Sequence, residues 1–137
     1  MILGIDIDGT ITADPFFFAR ISRGVIQLGG EVHIVSSRSA EGKCETEAEL
    51  KECGIKFSEL YLSPSISEAQ NLCPHTTLDW YQRHAWLKVD YALSNGITCF
   101  VDDDAKVLDL FSRYAPAMKI FPFADRYDLL DLYRGTK

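Results

Sequence analysis

The chain reads as an α/β protein whose parallel, doubly wound sheet forms the middle of a three-layer αβα sandwich. Three observations lead there. Short apolar runs at residues 1–5, 31–35, 60–62, 97–101 and 117–121 alternate with segments of helical spacing. The first run ends in Asp6 and Asp8, one residue apart and followed at once by Gly9-Thr10. Such a pair belongs where a parallel strand gives way to its loop, the place where open α/β sheets hold ligands. With 47% apolar residues in 137, the chain has enough to fill a core.

The elements follow in order. Residues 1–5 form a buried strand, and Asp6 and Asp8 share a face if extension continues past it. Asp14-Pro15 reads as an N-cap with Pro at the first helical position. Phe17, Ile21, Val25 and Leu28 then mark a helical face, and Gly29-Gly30 stops it. A second strand covers 31–35, with Ser36-Ser37-Arg38 directly after it. A second helix covers 40–53, with Glu47 and Lys51 spaced to pair. The third strand is 60–62. Residues 63–77 lack a period and read as a loop with one helical turn. A helix covers 78–94 with Tyr81, Ala85, Val89 and Ala92 on one face. The fourth strand, 97–101, ends in Asp102-Asp103-Asp104. Val107, Leu108, Phe111 and Tyr114 mark the next helix, which Asp104 caps; a fifth strand is 117–121, and Asp125 caps a last helix ending before Gly135.

A net charge of −6 and a pI near 5.0 argue against non-specific binding to nucleic acid or to a membrane surface. Cys44, Cys53, Cys73 and Cys99 lack metal-site spacing and are too sparse for a disulfide scaffold. Reduced thiols and a cytoplasmic location are the expectation. Asp6 and Asp8 interrupt the first apolar run, so it does not read as a signal peptide. No apolar stretch approaches membrane-spanning length.

Four signals carry chemistry: Asp6 with Asp8, Ser36 after the second strand, Lys88 on the helix leading into the fourth strand, and Asp102-Asp103 after it. Each alone has an ordinary reading as a turn, a solvated lysine or a helix cap. Together and in order they fit phosphoryl transfer. A carboxylate can attack phosphorus in line. A hard divalent cation such as Mg²⁺ must then bridge two anions, and an all-oxygen donor set suits it. A second acid can protonate the leaving oxygen and later deprotonate the attacking water. A hydroxyl, backbone N–H groups and an ammonium can hold the equatorial oxygens.

The same residues resemble the haloacid dehalogenase superfamily of aspartate-nucleophile phosphatases. Asp6-Ile7-Asp8-Gly9-Thr10 is similar to its first motif, Val35-Ser36 to its second, Lys88 to its third and Val101-Asp102-Asp103 to its acidic fourth. The resemblance spans residues 1–104 and implies one hydrolase domain over 1–137, with a Rossmann-like sheet of about five strands in the order 5-4-1-2-3. It implies Asp6 as nucleophile and Asp8 as general acid/base. Asp6, the Asp8 backbone carbonyl and Asp102 or Asp103 would hold Mg²⁺. Ser36, Ser37, Lys88, Thr10 and Arg38 would face phosphate. An acid at Asp8 points to phosphate rather than carbon–halogen chemistry.

Family members often carry a cap domain, but too few residues lie at either insertion point here. The expectation is an open, nearly capless site taking a nucleotide or another small phosphorylated metabolite. Ser36-Ser37-Arg38 is similar to the Thr-Gly-Arg turn of superfamily nucleotidases and polynucleotide 3′-phosphatase domains. Arg38 there contacts phosphate or ribose, or else pairs with Glu41 or another helix-start carboxylate. Phe16-Phe17-Phe18 supplies core, with a place at the site mouth as the alternative. His75, Trp80, Tyr81, His84 and Trp86 gather near the expected mouth, where aromatics could stack on a base. Two other functions stay open: a phosphate- or Mg²⁺-binding interaction module with poor turnover, and a sugar-phosphate phosphatase whose lid comes from a neighbouring protomer in an oligomer.

Overall fold

The computed structural model describes residues 1–123. The helix expected from Asp125 onward lies outside them. Five parallel strands form one sheet in the order β3-β2-β1-β4-β5, as the sequence predicts. They are β1 (Ile2–Ile5), β2 (Glu31–Ser39), β3 (Glu59–Ser63), β4 (Cys99–Asp102) and β5 (Lys119–Pro122). The helices are α1 (Pro15–Gln27), α2 (Lys43–Glu52), α3 (Ile66–Leu72), α4 (Trp80–Ser94) and α5 (Ala105–Tyr114). β1 is central and pairs with β2 through Ile5↔Ile34 and with β4 through Ile5↔Val101.

Two apolar layers flank the sheet. On one side Leu3, Ile5, Val32 and Ile34 pack with Phe18, Ala19, Leu50 and Ile55 from α1, α2 and the turn after α2. On the other Val35 and Phe100 pack with Trp86, Val89, Val107, Leu110 and Phe111 from α4 and α5. Strand alternation separates the two sets. Position 4, on the side of the second layer, is a glycine because a Cβ there would lie 2.5 Å from the Phe100 ring.

Several boundaries differ from the sequence reading. The buried stripe of α1 is Phe18, Ala19 and Ser22, while Phe17 and Ile21 are exposed and Leu28 is 90% exposed. Apolar spacing could not find this stripe, because one of its members is polar. Ser22 is tolerated because its hydroxyl donates to the Ala19 carbonyl and accepts from the Lys56 N–H. Asp14 does cap α1, accepting from the Phe17 N–H. β2 continues to Ser39, since Ser36 and Ser39 still pair with β3 across a register shift. Ser36 therefore lies within the strand rather than after it. The second helix opens as a tight turn at Ala40–Gly42 and becomes α-helical only from Lys43. Residues 63–77 hold a seven-residue helix, α3, capped by Ser65 and tied to α4 by Gln70 and Arg83. No described helix is long and apolar enough to cross a membrane.

Candidate functional site

The chain goes from β1 outward to β2 and β3, then crosses back to β4 on the other side of β1. That reversal opens a crevice beyond the carboxyl ends of β1, β2 and β4. The cleft there, of about 300 Å³, is lined by Asp6, Asp8, Ser36, Ser37, Arg38, Tyr81, Lys88, Asp102, Asp103 and Asp104. Of the residues expected to handle protons, phosphate or metal, all but Thr10 stand in its wall. A larger concavity, of about 500 Å³, opens between α1 and α2 beside Arg23, Lys51 and Lys56 and contains none of them. The carboxylate and lysine cluster lies in the smaller one.

β1 ends at Ile5, so Asp6 and Asp8 do not continue an extended strand. Ile7–Ile11 forms a wide turn closed by the Thr12 N–H on the Ile7 carbonyl. Gly9 takes φ 82 inside it, a backbone that L side chains rarely adopt. A Cβ on Gly9 would lie 2.2 Å from a carboxylate oxygen of Asp103, so this glycine also lets β4's loop approach. The turn separates the two acids. Asp6 is buried and points inward, whereas the Asp8 side chain is 63% exposed.

Lys88 reaches the site from α4, fourteen residues before Asp102. Asp79 caps this helix through the Gln82 N–H. The Lys88 ammonium is buried and donates to Asp6 at 2.8 Å and to Asp102 at 3.0 Å. Two buried carboxylates around one ammonium leave a net negative charge. Burial pushes the Asp6 carboxyl up to about 7, with Lys88 opposing and Asp102 adding to the shift. Asp102 is raised as well, chiefly by burial. Burial works against the Lys88 charge, but Asp6 and Asp102 overcome it and its pKa is raised.

Asp6, Asp102 and Asp103 each bring a ligand atom within 4.8 Å of the others. This all-oxygen set fits a hard divalent cation and not a thiolate- or imidazole-bound metal. Both Asp102 and Asp103 belong to it, where the sequence left the choice between them open. Asp102 is fully buried and fixed, accepting from the Asp104 N–H and from Lys88. Asp103 is exposed. Thr10 is buried behind the cleft wall, its hydroxyl 3.1 Å from Asp6 and 3.2 Å from Asp103. It tethers these carboxylates.

Ser36 is buried and its hydroxyl accepts from the Arg38 N–H at 3.0 Å. Its own proton stays available to the cleft. Arg38 pairs with neither Glu41 nor a helix-start acid. It forks onto Asp8 at 2.9 and 2.8 Å and onto Glu49 at 3.0 and 3.2 Å. These hydrogen bonds from Arg38 hold the Asp8 carboxyl below the usual carboxylate range. Glu49 was invisible in the sequence, since nothing in its spacing ties it to Arg38 eleven residues earlier.

Of the aromatic residues, Tyr81 lines the cleft and donates its hydroxyl to Asp104. Trp86 is buried against His75 and Tyr114, and Trp80 is exposed away from the cleft wall. Phe18 is core, whereas Phe16 and Phe17 are exposed and outside the cleft. Burial lowers the His84 pKa.

No protein-family description matches the chain, and no curated protein matches its sequence. Solved structures do match its shape. One neighbour is a chain of the structure described as "Structure of the Pnkp1/Rnl/Hen1 RNA repair complex". It has a TM-score of 0.65 and 17% identity over 88% of this chain and 41% of its own length. Another, from "Structure of Pnkp1/Rnl/Hen1 complex", has a TM-score of 0.64 and 18% identity, over 88% of this chain and 45% of that one. The chain thus spans under half the length of these neighbours. Likeness at this level of identity extends to the fold alone.

Proposed function

We propose that this chain is a Mg²⁺-dependent phosphatase of the haloacid dehalogenase type, hydrolysing a phosphomonoester through an aspartyl-phosphate on Asp6. The observation that carries the reading is the meeting of Asp6, Ser36, Lys88 and Asp102 in one cleft from the ends of β1 and β4, from within β2 and from α4. A bound Mg²⁺, held by Asp6, Asp102, Asp103 and the Asp8 backbone carbonyl, would neutralise phosphate charge. An oxygen of Asp6 attacks phosphorus while the bond to the leaving oxygen breaks, and Asp8 gives that oxygen its proton. Asp8 then takes a proton from water, whose oxygen attacks phosphorus and frees Asp6. Ser36, Ser37, Lys88 and Arg38 hold the phosphoryl oxygens, with Thr10 steadying Asp6.

The open cleft and Tyr81 at its wall suit a nucleotide or another small phosphorylated metabolite. The neighbours' place in an RNA repair complex accords with a nucleotide-type phosphoester. The test is hydrolysis of p-nitrophenyl phosphate with Mg²⁺. Asp6→Asn should abolish it, while Asp8→Asn should accumulate a phosphorylated protein detectable by mass spectrometry. Full activity in Asp6→Asn would sink the assignment.

A second reading keeps the site but not the turnover: a phosphate- or Mg²⁺-binding module docked in a larger assembly. The grip of Arg38 on Asp8 favours it, as do neighbours that are parts of a multi-protein complex. A wild-type chain without turnover on a panel of phosphate esters, yet binding phosphate, would select it.

A further inference from the structure

One ion-pair network ties two groups of the chemistry above, Asp8 and Arg38, to a residue outside it, Glu49. The Arg38 guanidinium serves two carboxylates at once. Nε and Nη2 donate to Asp8, and Nη1 and Nη2 donate to Glu49, so both acids share Nη2. Glu49 stands on α2 beside the buried Leu50, and it does not line the cleft. The Thr46 hydroxyl, one turn earlier, lies 3.5 Å from Nη1.

The three partners differ in freedom. The Arg38 side chain is 24% exposed, that of Glu49 44% and that of Asp8, on its turn, 63%. Arg38 is anchored on its far edge by a bidentate grip from a packed helix. Asp8 is anchored only through Arg38. An opening of this pair in which Arg38 stays on Glu49 would leave Asp8 as the side that moves. Without Glu49, the flexible arginine would follow Asp8 and keep both of its oxygens engaged.

We propose that Glu49 is a positioning residue that retains Arg38 on α2, so that Asp8 can leave the pair and turn its carboxyl to the leaving oxygen. This inference rests on the phosphatase reading. Glu49 touches neither substrate nor reacting atoms; it acts through Arg38 on Asp8.

Leaving-group dependence tests it. A p-nitrophenolate departs without a proton, whereas the alkoxide of glycerol 2-phosphate needs one. kcat/KM covers steps up to the first phosphoryl transfer, so the ratio between the two esters isolates proton donation from phosphate binding. Glu49→Gln should lower kcat/KM about tenfold for glycerol 2-phosphate and by less than about twofold for p-nitrophenyl phosphate. Glu49→Asp should recover part of the ratio, and adding Arg38→Ala to Glu49→Gln should restore it by freeing Asp8. An unchanged thermal midpoint in Glu49→Gln verifies the fold. An active wild type whose Glu49→Gln variant slows both esters equally, or neither, overturns this inference alone. A wild type that cleaves neither ester overturns the phosphatase reading and this inference with it.

Discussion

Lys88 is a polar residue whose replacement is expected to cost as much as emptying part of the core. Its ammonium is 2.8 Å from Asp6 and 3.0 Å from Asp102, and all three groups are buried. Lys88→Met leaves two buried carboxylates without their counter-charge, a change that costs about 3–5 kcal/mol. The expected drop in thermal midpoint is about 10–17 °C, measured by calorimetry in the absence of divalent cations. Mg²⁺ should recover part of that loss, because a cation at the carboxylates supplies the missing positive charge. If Mg²⁺ leaves the variant's midpoint where it was, the carboxylate cluster is not a cation site.

The element that decides the site is the turn between β1 and α1. It sends Asp6 inward and Asp8 outward, and it depends on Gly9 at φ 82. Gly9→Ala places a Cβ in a left-handed backbone that costs about 1–2 kcal/mol, and sets that carbon against the Asp103 carboxylate. The β4 loop must then retreat. The expected result is a modest fall in thermal midpoint with a much larger rise in the Mg²⁺ concentration needed for half-maximal turnover. Equal small effects on both would mean that Asp103 is not held against this turn for the cation. The Asp-x-Asp-Gly-Thr pattern placed a loop here in the sequence, but the expected shared face of Asp6 and Asp8 gave way to a turn that sends them apart. The helix faces were less so: α1 buries Ser22 because of two hydrogen bonds, and a polar residue on a buried stripe defeats any reading from apolar spacing.

At the scale of the whole molecule, the buried acids couple stability to pH. Asp6 is pushed up to about 7 from an ordinary 3.8. The folded chain thus keeps a proton that the unfolded chain has already released between these values. Stability should therefore fall as pH rises through that window and level off above it. Asp8 shifts the other way, so its contribution is present above the ordinary carboxylate value and lost as pH falls below it. A cation bound at Asp6 would displace that proton. The Mg²⁺-induced rise in thermal midpoint should accordingly be larger at about pH 8 than at about pH 5.5. Equal rises at both would mean that no proton leaves the site on binding.

The sequence by itself determined the alternation of strands and helices, the parallel sheet, and the four signals, three beside strands and Lys88 on a helix. Those properties are local or periodic. They depend on which faces are apolar, which residues cap a helix, and where carboxylates follow a strand. Only the tertiary structure decided that Asp102 and Asp103 both join Asp6, that Thr10 tethers acids behind the cleft, and that Arg38 answers to Glu49 and not Glu41. Each of those outcomes turns on long side chains from different elements meeting over a few ångströms. That meeting is set by sheet register, by the bulge at Ser36–Ser39 and by the seating of α2 and α4, and none of these leaves a pattern along the chain.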